Sequence, residues 1–159
     1  MSSSASPHSR SINAIREQEI KLSVDQSFRW PERYGTPLPR RHLTSTYYDT
    51  AAYDLAHARI TLRHRIERGK QSWQLKIPLG DDRQEVEAAG TQGNPPAALR
   101  ALLILHLGHR RLTPVVTLRV RRAGLLVHQG RVPVAELALD HVAVVTHGAV
   151  IQRFRELEI

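Results

Sequence analysis

From Ile60 onward apolar and polar residues alternate with a period of two, the pattern of strands that bury one face. Leu62, His64 and Ile66 interleave with Arg63, Arg65 and Glu67, and Gly69-Lys70 supplies a hairpin turn. Trp73, Leu75 and Ile77 then alternate with Gln74 and Lys76 in a return strand at Ser72–Pro78. Gly80-Asp81-Asp82 makes the next turn, before a strand at Arg83–Ala88. Beyond a linker at Gly90–Pro96 the period changes. Ala98, Leu99, Leu102, Leu103 and Leu105 predict a helix over Ala97–Leu107 with little polar surface, ended by Gly108. Period two returns in Leu112–Ala123, where Val116, Leu118 and Val120 oppose Thr117, Arg119 and Arg121. Gly124 is expected to turn the chain into Leu125–Val134, and Glu136–Val145 and Val150–Ile159 complete an antiparallel series.

Upstream, Arg16–Leu22 reads as a strand, and Asp25 as the cap of a short helix limited by Pro31. Gly35–Pro39 is loop, His42–Tyr48 a strand, and Ala51–His57 a short helix capped by Asp49 or Thr50. Met1–Ile15, rich in serine and without an acidic residue, reads as a disordered tail. Strands in series with two or three helices predict an antiparallel α+β domain, a sandwich or a barrel.

Composition narrows the setting. The 159 residues suit one domain, with no cysteine for disulfides or thiolate metal sites. No apolar run approaches the roughly 18 residues of a membrane helix, so no membrane partner and a cytoplasmic location are expected. A net charge of +8 calls for a polyanionic partner. Aromatic residues are only 5%, and no basic run carries an interleaved aromatic platform, which argues against nucleic acid.

The charges themselves are patterned. Glu17, Glu19 and Lys21 leave one face of the first strand, and the same i, i+2 spacing recurs in Arg63/Arg65, Arg83/Glu85/Glu87, Arg119/Arg121 and Glu156/Glu158. Such faces can simply meet water. The apolar helix, however, requires an apolar sheet surface, which turns the charged faces the other way. Basic and acidic pairs are also largely segregated by strand. Were the strands to close into a barrel, its lumen would hold charges that need partners. A polyanion on the arginines and a hard cation such as Mg²⁺ or Mn²⁺ on the glutamates would supply them.

Glu17-x-Glu19-x-Lys21 resembles the ExExK signature of the CYTH domain, or triphosphate tunnel metalloenzyme, family. Tyr47-Tyr48-Asp49-Thr50, Leu62-Arg63-x-Arg65, Trp73-Gln74-Leu75-Lys76, Leu118-Arg119-x-Arg121, Ala138-Leu139-Asp140 and Glu156-x-Glu158 resemble its later motifs in order. The resemblance covers residues 16–159 and implies a closed eight-stranded antiparallel β-barrel, a triphosphate tunnel with a few covering helices. The wording from Gly69 to Pro78 looks most like bacterial inorganic triphosphatases, including those fused to a CHAD domain. It implies metal-dependent hydrolysis of tripolyphosphate. Thiamine triphosphatase, class IV adenylate cyclase and a non-catalytic polyphosphate- or nucleotide-binding module are the alternatives.

By the same resemblance, Glu17, Glu19, Glu156 and Glu158 would be catalytic and bind metal, joined as metal ligands by Glu85, Glu87 and Asp140. Lys21, Arg63, Arg65, Lys76, Arg83, Arg119 and Arg121 would hold phosphate. A CHAD-type domain or a second copy is the expected protein partner. Family members usually continue with further helix beyond the point matching Ile159, so a fragment of a longer protein is expected.

Overall fold

The structure is a computed structural model that describes residues 20–29, 33, 35–80 and 82–159. The expected tail at 1–15 and the first half of the Arg16–Leu22 strand lie outside the described residues. Eight strands form in chain order: β1 (Lys21–Ser23), β2 (Gly35–Asp49), β3 (Thr61–Glu67), β4 (Lys70–Leu79), β5 (Asp82–Ala89), β6 (Thr113–Gln129), β7 (Val132–Thr146) and β8 (Ala149–Glu158). Helix α1 (Asp54–His57) follows β2, and α2 (Ala97–Leu107) follows β5 at the predicted boundaries. Two-residue hairpins at Arg68-Gly69 and His147-Gly148, all with positive φ, set the β3–β4 and β7–β8 registers.

The strands make one antiparallel sheet in the order β1-β8-β7-β6-β2-β3-β4-β5. This corrects the expected closed barrel: β1 and β5 stand at opposite ends, and among the described residues no hydrogen bonds join them. The described residues of β1 are three in number and pair with β8 along one edge. β5, for its part, carries Arg83, Glu85 and Glu87 along an exposed edge, and charge on an edge strand disfavours a further strand. The sheet is barrel-like in curling around a charged interior, and among the described residues it is open at that seam.

A second correction concerns Gly124. It does not turn the chain; β6 runs through it to Gln129, and the reversal falls at Gly130. Gly124 lies against β2, where a Cβ would sit 3.0 Å from the Cβ of Leu38. The expected loop at Gly35–Pro39 is likewise strand. Its prolines are tolerated because β3 pairs only from Leu43 onward, leaving that edge of β2 without a ladder to break. At its start a Cβ on Gly35 would lie 2.5 Å from the Leu126 carbonyl oxygen. Gly35→Ala should therefore lower stability by about 1 to 3 kcal/mol, read from denaturant unfolding.

The predicted helix at Asp25 is instead a turn, in which the Asp25 carboxylate accepts from the Ser27 and Phe28 amides at 2.8 and 3.1 Å. Helix α1 is shorter than expected. Asp49 still serves it, accepting from the Leu55 and Ala56 amides at 3.0 Å each.

Both helices cover the outer face of β3–β5. Leu99, Leu103 and Leu107 of α2 join Leu55, Leu62, Leu75, Tyr48 and a fully buried Trp73 in the core. His64 lies in that layer, with Nε2 3.1 Å from the Gly90 carbonyl oxygen. The charged residues of β3 and β4 are thereby left facing inward, as the apolar helix required. No helix among the described residues is long and apolar enough to cross a membrane.

Candidate functional site

Every strand contributes a charged side chain to a cavity of about 1320 Å³ on the inner face of the sheet. Lys21, Arg41, Arg63, Arg65, Lys76 and Arg122 supply its positive charge, and Glu85, Glu136, Asp140, Glu156 and Glu158 its negative charge. The signs are not mixed at random.

The acidic side is built by β7 and β8. Their register sets Asp140 opposite Glu156, and Glu158 follows two residues on along the same face. Carboxylate oxygens of Asp140, Glu156 and Glu158 all lie within 4.8 Å of one another. Two cations hold the group together. Arg122 donates to both oxygens of Asp140, at 2.8 and 2.7 Å, and also to Glu158. Lys21 donates to Glu158 at 2.7 Å and lies 3.6 Å from Glu156.

These contacts set Glu158 and Glu156 apart. Burial would raise Glu158, but Lys21 and Arg122 outweigh it and hold the group below the usual range. Burial pushes Glu156 up; Lys21 opposes this, while Glu158 and Asp140 add to it. Asp140 and Glu158, which accept its hydrogen bonds, keep Arg122 firmly charged in spite of its burial. Glu156 thus keeps its proton to higher pH folded than unfolded, so its ionisation removes stability as pH rises through its folded value. Glu156→Gln should be more stable than the parent above that range and match it below, as measured by thermal unfolding across pH without metal.

The basic side is built by β3. Arg63 and Arg65 face the cavity two residues apart, and their partners are mostly neutral. Arg63 donates from Nε to Gln74 at 2.7 Å and from a terminal nitrogen to the Tyr47 hydroxyl at 3.3 Å. Arg65 has Glu67 at 3.6 Å, but Arg41 already grips both oxygens of Glu67. The Nε of Arg65 is buried with no hydrogen-bond partner. Burial, and then Arg63, lower the pKa of Arg65. Two guanidiniums held together in this way can accept an anion that satisfies them both.

Of the residues singled out in the sequence, Lys21, Arg63, Arg65, Lys76, Glu85, Asp140, Glu156 and Glu158 line the cavity. Glu85 stands apart from the acidic trio, paired with Lys76 at 3.0 Å. Glu87 accepts from Gln74 at 3.4 Å. Arg83 is exposed on β5 and is not among the lining residues. Arg119 and Arg121 lie on the opposite, outer face of β6, where both are exposed; Leu118, Val120 and Arg122 face inward. Glu17 and Glu19 lie outside the described residues. Sequence reasoning missed Arg41, Tyr47, Arg122 and Glu136 as lining groups. Of these, Tyr47 stood in the Tyr47-Tyr48-Asp49-Thr50 motif without a role, and Arg122 carried a signal as the third arginine in Arg119-Val120-Arg121-Arg122.

The donor set suits a hard divalent ion: three carboxylates converge from adjacent strands, and the partly buried Glu156 is destabilised in its charged form until another cation arrives.

Comparison with known proteins gives a family match. The profile described as CYTH domain matches residues 16–159. Two uncharacterized proteins of Mycobacterium tuberculosis are each 30% identical over 115 residues, 70% of this chain but 22% of their own length. The chain therefore spans about a fifth of the curated relatives it matches. Among solved structures, a candidate adenylate cyclase from Bacillus halodurans matches with a TM-score of 0.54 at 17% identity, over 88% of this chain and 77% of that one. A protein from Hippeastrum, described as an adenylyl cyclase candidate with dominant triphosphatase activity, matches with the same score, identity and coverage.

Proposed function

The chain belongs to the CYTH domain family, and from that premise we propose that its cavity binds inorganic triphosphate (tripolyphosphate) and hydrolyses it with the help of Mg²⁺ or Mn²⁺. One observation carries the reading. A pair of arginines on β3, one with an unsatisfied buried nitrogen, shares a cavity with a convergent carboxylate trio on β7 and β8. Arginines alone would describe a phosphate receptor, and carboxylates alone an ion-pair network. Together they match a phosphate chain bound with its cation. The triphosphatase activity of the Hippeastrum protein agrees with this reading.

Asp140, Glu156 and Glu158 would hold the cation, which when bound supplies charge neutralisation for phosphate oxygens and an activated water. Arg63 and Arg65 grip phosphate oxygens through paired N–H groups, and Lys76 adds a further positive charge to the same cavity. Arg122 holds Asp140 and Glu158 in place, its Nε and one terminal nitrogen already engaged with them. Burial disfavours the charged form of Glu156 while no cation is bound, so a cation held there would relieve that cost.

A second reading, action on an organic triphosphate, has one observation in its favour. Leu43, Leu118, Val120, Val142 and Phe154 make an apolar stretch in the same cavity, a surface that an inorganic chain does not need.

Phosphate release from tripolyphosphate, ATP and thiamine triphosphate, with Mg²⁺, Mn²⁺ or chelator, separates the cases. Metal-dependent release from tripolyphosphate above the others is the expected result. Faster release or cyclisation with an organic triphosphate would favour the second reading. Folded protein that binds tripolyphosphate without turnover would overturn hydrolysis and leave a binding module.

A further inference from the structure

Positive and negative charges lining the cavity nearly cancel, yet the chain carries +8. Part of that surplus lies on the other side of the sheet. Arg121, His141 and Arg155 stand in direct cross-strand register on β6, β7 and β8, and His42 extends the row onto β2. Two residues along, Arg119 and Arg153 flank Ala143 in a parallel row. With strands about 4.8 Å apart, those two arginines rise roughly 10 Å from each other across a low floor.

Each row places two arginines on alternate strands around one central residue and contains no acidic residue, so positive charge gathers on this face without compensation. No salt bridge among the described residues involves Arg119, Arg121 or Arg153. Arg155 donates to the carbonyl oxygens of Asp25 and Phe28 at 2.6 and 3.3 Å, but its Nε is buried without a partner.

We propose that this outer face of β6, β7 and β8 is a second anion-binding surface, which takes long-chain inorganic polyphosphate alongside the cavity. Two features favour polyphosphate over nucleic acid. The basic rows contain no Phe, Tyr or Trp on which bases would stack. The face is also the convex side of a sheet curled around a cavity, which a flexible chain can follow and a rigid duplex cannot. The choice of polyphosphate rests on the cavity reading, because both surfaces then recognise the same phosphate-anhydride chain.

The test compares the parent, the outer variant Arg119→Ser/Arg121→Ser/Arg153→Ser, its all-lysine counterpart and the cavity variant Arg65→Met. Binding of long-chain polyphosphate is measured with and without saturating tripolyphosphate, over a range of salt. The parent and Arg65→Met should still bind the long chain when tripolyphosphate is present. The serine variant should bind it about tenfold more weakly with a shallower salt dependence, and the lysine variant should recover most of the affinity. Equal binding by the serine variant and the parent would overturn the proposal. So would complete displacement by tripolyphosphate, or tighter binding of a single-stranded RNA of matched charge. Failure of the cavity reading has a different signature: tripolyphosphate would bind neither the parent nor Arg65→Met, while the outer variants would still differ for the long chain.

Discussion

Replacing Arg65 with Met is expected to move binding and stability in opposite directions. Tripolyphosphate affinity should fall about 100-fold, since a charge-assisted hydrogen bond is worth about 1.5 to 3 kcal/mol and Arg65 has more than one to give. Stability without ligand should rise, by on the order of 1 kcal/mol, because a partly buried cation is replaced by an apolar side chain of similar length. The arginine is poorly compensated as it stands. Its Nε lacks a partner, and Glu67 is 3.6 Å away and already bound to Arg41. Removing it leaves no orphaned carboxylate behind. Titration calorimetry with tripolyphosphate and thermal unfolding of the same samples check the two signs. A variant that binds as the parent does would remove the basic side of the proposed site. A variant that is both weaker in binding and less stable would make Arg65 a structural residue instead.

The sign expected for Arg65 also explains why β3 was legible in the sequence. Arg63 and Arg65 alternate with Leu62, His64 and Ile66, and the apolar set has one place to go, under α1 and α2. Once α2 was read from its leucines, the inward direction of the arginines followed. On β6 no such argument exists. Arg119, Arg121 and Arg122 put arginine on both faces of one strand, and local period cannot choose between them. The choice is made by β7, whose Asp140 lies opposite Arg122 and binds it through two oxygens. That is a contact between residues 18 apart in sequence, and no spacing rule reports it. Arg41 was hidden for a related reason: it follows the irregularity between Leu38 and Arg41, where the alternation of β2 shifts. Closure of the sheet was misjudged because strand count and charge pattern suit a barrel equally well, whereas an open seam depends on what the two end strands carry.

Arg122 offers the sharpest test of the acidic side. Arg122→Met removes the guanidinium that now engages both oxygens of Asp140 and one of Glu158, in a place where Asp140 is 3% exposed. Breaking a buried ion pair from one side costs about 3 to 5 kcal/mol, because the remaining charge is neither hydrated nor paired. For a chain of this size that corresponds to a fall in Tm of roughly 10 °C without metal. The loss should be unusually sensitive to divalent ions. Three carboxylates whose oxygens lie within 4.8 Å of one another would have lost a compensating positive charge, so Mg²⁺ or Mn²⁺ should stabilise the variant more than the parent. An ion at 100 times its dissociation constant adds about 2.7 kcal/mol, enough to restore most of the deficit. Thermal unfolding across a Mn²⁺ titration, with chelator as the reference, reads this without any assay of turnover. If Mn²⁺ raises the Tm of the variant no more than that of the parent, then Asp140, Glu156 and Glu158 are partners of Arg122 and Lys21 rather than ligands. The cation of the proposed reaction would then have to be held elsewhere in the cavity.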